Sequence, residues 1–243
     1  MEIPYKVEHR KVKYPRLEFK GLQLLVILPP GMDEPSKLIE KRKTWILRKW
    51  STIQEAIKRA GTPTDFTIFG ETYTIETTTE KPRISHSEKK IYLDYRKPRH
   101  LKIIHKQLRT LMKLKAKPIL KEYAAKLGFK PNKILIRRLE TKWGSCSTKR
   151  NITLNLKLVC LPEQTIRYVI FHEVTHLKQK RHNQLFWQMI SKEYPDYKEY
   201  EKKLLEYWFS TELLFQNLIK PSPTPIHKQE KLTSWVGGVS EHT

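Results

Sequence analysis

In the stretch Ile170-Phe171-His172-Glu173-Val174-Thr175-His176, two histidines stand four positions apart, and a glutamate directly follows the first. Residues four apart on a helix lie one turn apart on one face, so both imidazoles can share one ion. His182 comes six residues later. If the helix ends near Gln179 and the chain turns back, His182 completes a three-histidine set. Three neutral nitrogen ligands suit zinc, one ion per chain, and leave a fourth position for water. Glu173 can reach that water as a general base and later carry its proton to a leaving group. A carboxylate on a following helix, Glu193 or Glu199, is the alternative third ligand. The chemistry implied is metal-assisted hydrolysis.

Those ligands require a helix, a turn after it and a wall opposite. Pro162 suits the first position of a helix, and Ile166, Val169, Ile170 and Val174 recur at helical spacing to about Lys178. Further helices are read from Asn183 to Glu193, with Asn183 a capable cap, and from Asp196 to about Leu218. Upstream, 133–139 and 151–159 read as strands. The second alternates Ile152, Leu154, Leu156 and Leu158 inward with Thr153, Asn155 and Lys157 outward. An edge strand beside a metal helix can pair with an extended substrate through its main chain. The strand 151–159 is therefore the expected cleft strand, with Thr153, Asn155 and Lys157 binding substrate; the alternative is an ordinary core strand. Between the strands, WGSCSTKR reads as a turn, which Trp143 and Cys146 either brace or turn toward the cleft. Hydrolysis needs an oxyanion stabiliser, for which Tyr194, Tyr197, Tyr200 and Arg138 all remain open.

The N-terminal part reads as strand-rich. Leu22 to Leu28 is an aliphatic run bounded by Gly21 and by Pro29, Pro30 and Gly31. A helix from the cap Ser36 to Ala60, stopped by Gly61, should pack on that sheet. Segments 66–69 and 72–79 form a hairpin about Gly70 and Glu71, and 90–95 adds a strand. A long helix follows over 98–127, with Pro118 as a kink and Gly128 as its stop. The expected organisation is α+β, with a strand-rich part over 1–96, a helical part carrying HExxH over 97–219, and a weakly ordered Pro-rich tail over 220–243.

At this point the chain resembles a known family. The segment WGSCS (143–147), the run ITLNLKLVCLP (152–162) and IRYVIFHEVTHLKQKRHNQLFW (166–187) are similar to the YgjP-like metallopeptidase domain family. That family shows a Trp-Gly-Ser-Cys turn, an Asn-bearing strand, the metal helix, and a third histidine followed by an aromatic pair. Here these are Trp143 to Cys146, Asn155, His172 to His176, His182, and Phe186 with Trp187. The metal motif also resembles that of the Wss1-like and SprT-like proteases that act on proteins crosslinked to DNA. The resemblance implies a zincin-like metallopeptidase with a peptide or protein substrate. Position 179 is Gln, where metzincins carry Gly, and no Met-turn is visible.

The 243 residues are 38% hydrophobic and 30% charged, which excludes a disordered chain and a membrane protein. Two cysteines and no signal-like or spanning apolar run point to a reducing, cytoplasmic setting without membrane contact. The net charge is +23, of which residues 101–182 carry +16. An excess of this size implies an anionic partner or surface. Lys102, Lys106, Arg109, Lys113 and Lys117 fall within about 80° around the helix axis, a basic stripe that could lie along nucleic-acid phosphates or be a solvated face. Three readings are therefore carried forward: a zinc peptidase, a metal-dependent hydrolase of nucleotides or other phosphate compounds, and a nucleic-acid-associated module acting on DNA-bound proteins.

Overall fold

The computed structural model describes residues 3, 5–20, 23–59 and 64–219, and these fall into two compact units. The expected tail over 220–243 and the stop at Gly61 lie outside the described residues.

The first unit runs to Arg59. Strands β1 (Tyr5–His9), β2 (Arg16–Lys20) and β3 (Gln23–Leu28) form a sheet in the order β1-β3-β2, with β1 parallel and β2 antiparallel to β3. The aliphatic run is central, and Leu24 to Leu28 are buried, as a continuous apolar strand requires. The single helix expected over 36–60 is two: α1 (Pro35–Lys41) and α2 (Lys43–Arg59), broken at Arg42, whose φ of −113° leaves the helical range. Pro35 takes the first position and Glu34 precedes it, so Ser36 lies inside the helix and does not cap it. Trp45 of α2 meets Phe19 of β2 at 5.8 Å between ring centroids.

The second unit holds the rest of the described chain. Strands β4 (Asp65–Ile68), β5 (Glu71–Glu76), β6 (Arg83–Ser85) and β7 (Lys90–Tyr92) form a sheet in the order β4-β5-β7-β6. The β4–β5 hairpin turns at Phe69 and Gly70, both with positive φ, one position earlier than expected. Since this sheet belongs with the later helices, the compact division falls before residue 64 and not at 96/97. Helix α3 (Pro98–Lys126) buries Ile104, Leu108, Met112, Ala116, Leu120 and Ala124 at four-residue spacing. It continues through Pro118, which sits on the exposed side where an unpaired carbonyl can reach water, and it ends at Gly128 with φ of +71°.

Strands β8 (Lys133–Arg137), β9 (Gly144–Cys146) and β10 (Asn151–Asn155) form the sheet that matters most for the site, in the order β8-β10-β9. Two expectations change here. The strand read over 151–159 stops at Asn155 and gives way to a short 3-10 helix, Leu156–Cys160, all of it buried. β10 is central in its sheet, and the edges are β8 and β9, the latter inside the segment read as a turn. Helices α4 (Glu163–Thr175), α5 (Gln184–Glu193) and α6 (Tyr197–Ile219) complete the unit. The chain is thus α+β, with sheets toward the N-terminus and helices carrying the histidines toward the C-terminus. No helix among the described residues is long and apolar enough to cross a membrane.

Candidate metal centre

Helix α4 buries Ile166, Val169, Ile170 and Val174 and thereby turns His172 and Glu173 toward β9 and α5. The helix ends at Thr175, three residues earlier than expected, and His176 is its C-cap. Two tight turns follow, with Leu177 N–H donating to Val174 and Lys178 N–H to Thr175, and they swing the chain back. Asn183 then caps α5, its side-chain oxygen accepting from Phe186 N–H at 3.0 Å. Arg181 keeps a negative φ, so the reversal needs no left-handed residue there.

The result is a cluster in which ring nitrogens of His172, His176 and His182 lie within 4.8 Å of one another. His172 Nε2 and His182 Nε2 are 3.0 Å apart, close to the roughly 3.3 Å spacing of two nitrogens on one tetrahedral zinc. His176 Nδ1 lies 3.0 Å from the Gln179 carbonyl, so it donates there and leaves Nε2 as the ligand atom. Burial, and then the neighbouring imidazoles, depress the His172 pKa to about 3; burial also lowers that of His176. Neutral rings are what a cation needs. Phe186, fully buried, backs all three, with its ring 4.7 to 4.9 Å from each imidazole. Trp187 stacks on the exposed His182 and on Tyr197.

Glu173 is 6% exposed, and its Oε2 has no hydrogen-bond partner among the described residues. Burial pushes its carboxyl up to about 8, with Lys142 pulling the other way. Gly144 is its close neighbour. A Cβ at that position would stand 2.6 Å from Glu173 Oε1 and 2.7 Å from Cγ, so only glycine lets β9 pass over the carboxyl. The three histidines and Glu173 open into a cavity of about 650 Å³, also lined by Trp143 to Cys146, Lys142, Tyr168, Lys180, Trp187 and Glu201. An orphaned buried carboxyl oxygen beside three convergent imidazoles fits a divalent cation.

The predicted substrate residues do not reach this cavity. Asn155, expected on a polar outer face, is fully buried. Its side chain donates to the carbonyls of Leu139 and Lys142 and accepts from Leu139 N–H and Lys157 N–H. It therefore fixes the loop leading into β9. Lys157, 2% exposed, pairs with Glu212 at 2.5 Å and lies 4.0 Å over Trp208, which meets Trp143 edge-on. Thr153 sits in register between Leu135 and Ser145. Asn155 keeps the parity of β10 and is covered by the loop whose Leu139 and Lys142 carbonyls it binds, whereas Lys157 lies past the strand, where the 3-10 helix breaks the two-residue alternation.

None of the oxyanion candidates lines the cavity either. Tyr194 bonds Tyr123 at 2.7 Å, Tyr197 stacks on Trp187, Tyr200 stacks on Tyr168, and Arg138 pairs with Glu212. Two residues that sequence reasoning missed do line it. Tyr168 donates to Glu201 Oε1 at 2.5 Å, and that oxygen faces His172 Nδ1 at 3.9 Å. Tyr168 lies one turn before His172 and was open to inspection by spacing; Glu201, on α6, was not. Glu193 and Glu199 are outside the cluster, and Cys146 lines the cavity without joining it. Lys102, Lys106, Arg109, Lys113 and Lys117 are all exposed on α3, away from the cavity lining and without an ion pair among the described residues.

Two solved structures overlap part of the chain. The metallopeptidase zymogen of Pyrococcus abyssi, abylysin, is 28% identical over 37% of this chain and 90% of that one, with a TM-score of 0.34. That of Methanocaldococcus jannaschii, jannalysin, is 27% identical over 37% and 86%, with a TM-score of 0.33. No curated protein matches significantly. The model of the YgjP-like metallopeptidase domain matches residues 13–207, from β2 through the histidine cluster into α6, and the chain belongs to that family.

Proposed function

We propose that this protein is a zinc-dependent peptidase in which His172, His176 and His182 hold the ion and Glu173 is the general base. The observation that carries the reading is a buried carboxyl with a free oxygen set beside three convergent imidazoles, under a strand edge unpaired among the described residues. Zinc held there supplies Lewis acidity, polarising a carbonyl and letting water ionise near neutral pH.

The chain's own residues do the rest. Glu173 Oε2 takes the proton of the attacking water and returns it to the departing amine. Burial alone raises this carboxyl to about 8, and a nearby cation would draw it back down, which puts its two protonation states within reach near neutrality. Along β9, Asn155 N–H donates to Trp143 O, and Ser147 N–H donates to Asn151 O. Odd positions thus spend their main-chain groups on β10, while Gly144 and Cys146 turn theirs to the open edge. An extended substrate can pair there, which moves the proposed substrate strand from β10 to β9.

The test joins metal analysis with cleavage of denatured casein. The parent should carry about one zinc per chain, His172→Ala little, and Glu173→Gln a parental load with hydrolysis reduced by roughly 10²- to 10⁴-fold. Full activity in Glu173→Gln would sink the base assignment. Pyrophosphate release from nucleoside triphosphates without casein cleavage would replace the peptidase by a hydrolase of phosphate compounds.

A further inference from the structure

Two lysines, Lys142 and Lys180, line the mouth of the cavity. Both are exposed, and neither has an ion-pair partner among the described residues. They come from different elements of the cavity wall. Lys142 precedes Gly144 by two residues at the approach to β9, whereas Lys180 enters the cavity wall from the turn between His176 and His182. At a strand rise of roughly 3.3 Å, residues 142 to 146 span about 13 Å, the length of about four residues of an extended chain.

The acidic groups of the cavity are committed elsewhere. Glu173 lies beneath Gly144, and Glu201 accepts the Tyr168 hydroxyl and faces His172. The charged side chains left to meet a substrate are two cations, set among the apolar surfaces of Trp143, Val169, Trp187 and Leu204 and the small polar groups of Ser145 and Cys146. A substrate strand on the open edge of β9 would therefore run between two positive charges, over aromatic walls, in a protein whose net charge of +23 already draws anions.

Resting on the peptidase reading, we infer that the site selects extended peptides bearing acidic side chains on both sides of the scissile bond. Lys142 and Lys180 are the specificity-determining residues. Exposed lysine–carboxylate pairs are individually weak, so two together give a discrimination of about three- to tenfold, which salt reduces.

Binding and cleavage are measured separately. Zinc-loaded Glu173→Gln protein is titrated, by fluorescence anisotropy, with an extended peptide carrying two glutamates about four positions apart and with its glutamine isostere; the parent is assayed for cleavage of both. The acidic peptide should bind about three- to tenfold more tightly at low salt, with the advantage shrinking at about 0.5 M salt. Combining Lys142→Glu with Lys180→Glu should reverse the preference toward a lysine-bearing peptide. Equal binding of the glutamate and glutamine peptides, or an unreversed preference in the double variant, overturns the inference even if every peptide is cleaved. Acid-selective binding without cleavage by the parent upholds the subsites and overturns the peptidase reading. Displacement of the peptide by a nucleoside triphosphate at lower concentration than by free acidic peptide assigns the lysines to phosphate and overturns the inference.

Discussion

Asp94, at the approach to α3, and Glu173, on α4, are both carboxyls buried to within a few per cent, yet they sit in opposite circumstances. Asp94 accepts the backbone N–H of Arg96 and two of its guanidinium N–H groups at 2.9 to 3.1 Å. These bonds hold it below its ordinary range. Glu173 has an oxygen with no partner, and burial holds it well above. Asn155 and Lys157 side with Asp94: they are buried and fully partnered, and both serve the fold. Polar burial does not mark a site, and neither does an unmet polar atom alone, since Trp50 Nε1 and His105 Nε2 are also buried without a partner; an unmet carboxyl that faces a cavity beside three convergent histidines does.

The comparison breaks most sharply at Gly144. Gly144→Ala places a Cβ against the Glu173 carboxyl, and hydrolysis should fall by about 10²-fold as the group or the strand moves by an ångström. Metal content should hold, because the histidines are untouched. Parental hydrolysis in this variant would show that β9 does not position Glu173.

On the partnered side the effect should be on stability. Lys157→Ala leaves Glu212 with Arg138 as its remaining partner beside an apolar gap and should cost about 2–3 kcal/mol, less than breaking a fully buried pair because Glu212 keeps that partner and is 20% exposed. Joining Lys157→Met with Glu212→Leu should recover much of that loss. Asn155→Ala frees two backbone carbonyls and two N–H groups and should cost about 1–3 kcal/mol. Urea denaturation measures all of these; unchanged midpoints would contradict the structural role.

The remaining effects concern pH, and the two carboxyls should differ in sign. Asp94, with its pKa lowered from 3.8, contributes stability that is present above that value and lost as pH falls through the lower folded value. Asp94→Asn should flatten the acid limb. In protein stripped of divalent ions, Glu173 is raised from 4.5 to about 8, so the unfolded state loses its proton first and stability falls as pH rises between those values. Glu173→Gln should then be more stable than the parent at pH 8, with the gap closing toward 4.5. Parallel pH profiles for the parent and either variant would contradict the assignment.

The histidine pattern was legible because its information is local. An i, i+4 pair on a helix and a cap at Asn183 depend on backbone geometry within a dozen residues. The strand residues were not, because Ile152, Leu154, Leu156 and Leu158 fit a strand throughout. What ended the strand was the Asn155 side chain accepting from Lys157 N–H, a bond that alternation of apolar residues does not encode. β9 escaped for a similar reason: three residues within WGSCSTKR carry no period, and only pairing with β10 makes them a strand.

By itself, then, the sequence determined the α+β class, the helix carrying HExxH, the three histidines with Glu173 beside them, and a basic centre. Spacing along one helix and charge along one chain are properties of the order of residues. Tertiary structure alone decided which strand is the open edge, that Gly144 lies over Glu173 while Asn155 and Lys157 are walled in, and that Tyr168 and Glu201 join the cavity. Those facts depend on contacts between residues far apart in the chain, where close packing leaves room for one arrangement and sequence distance says nothing about which.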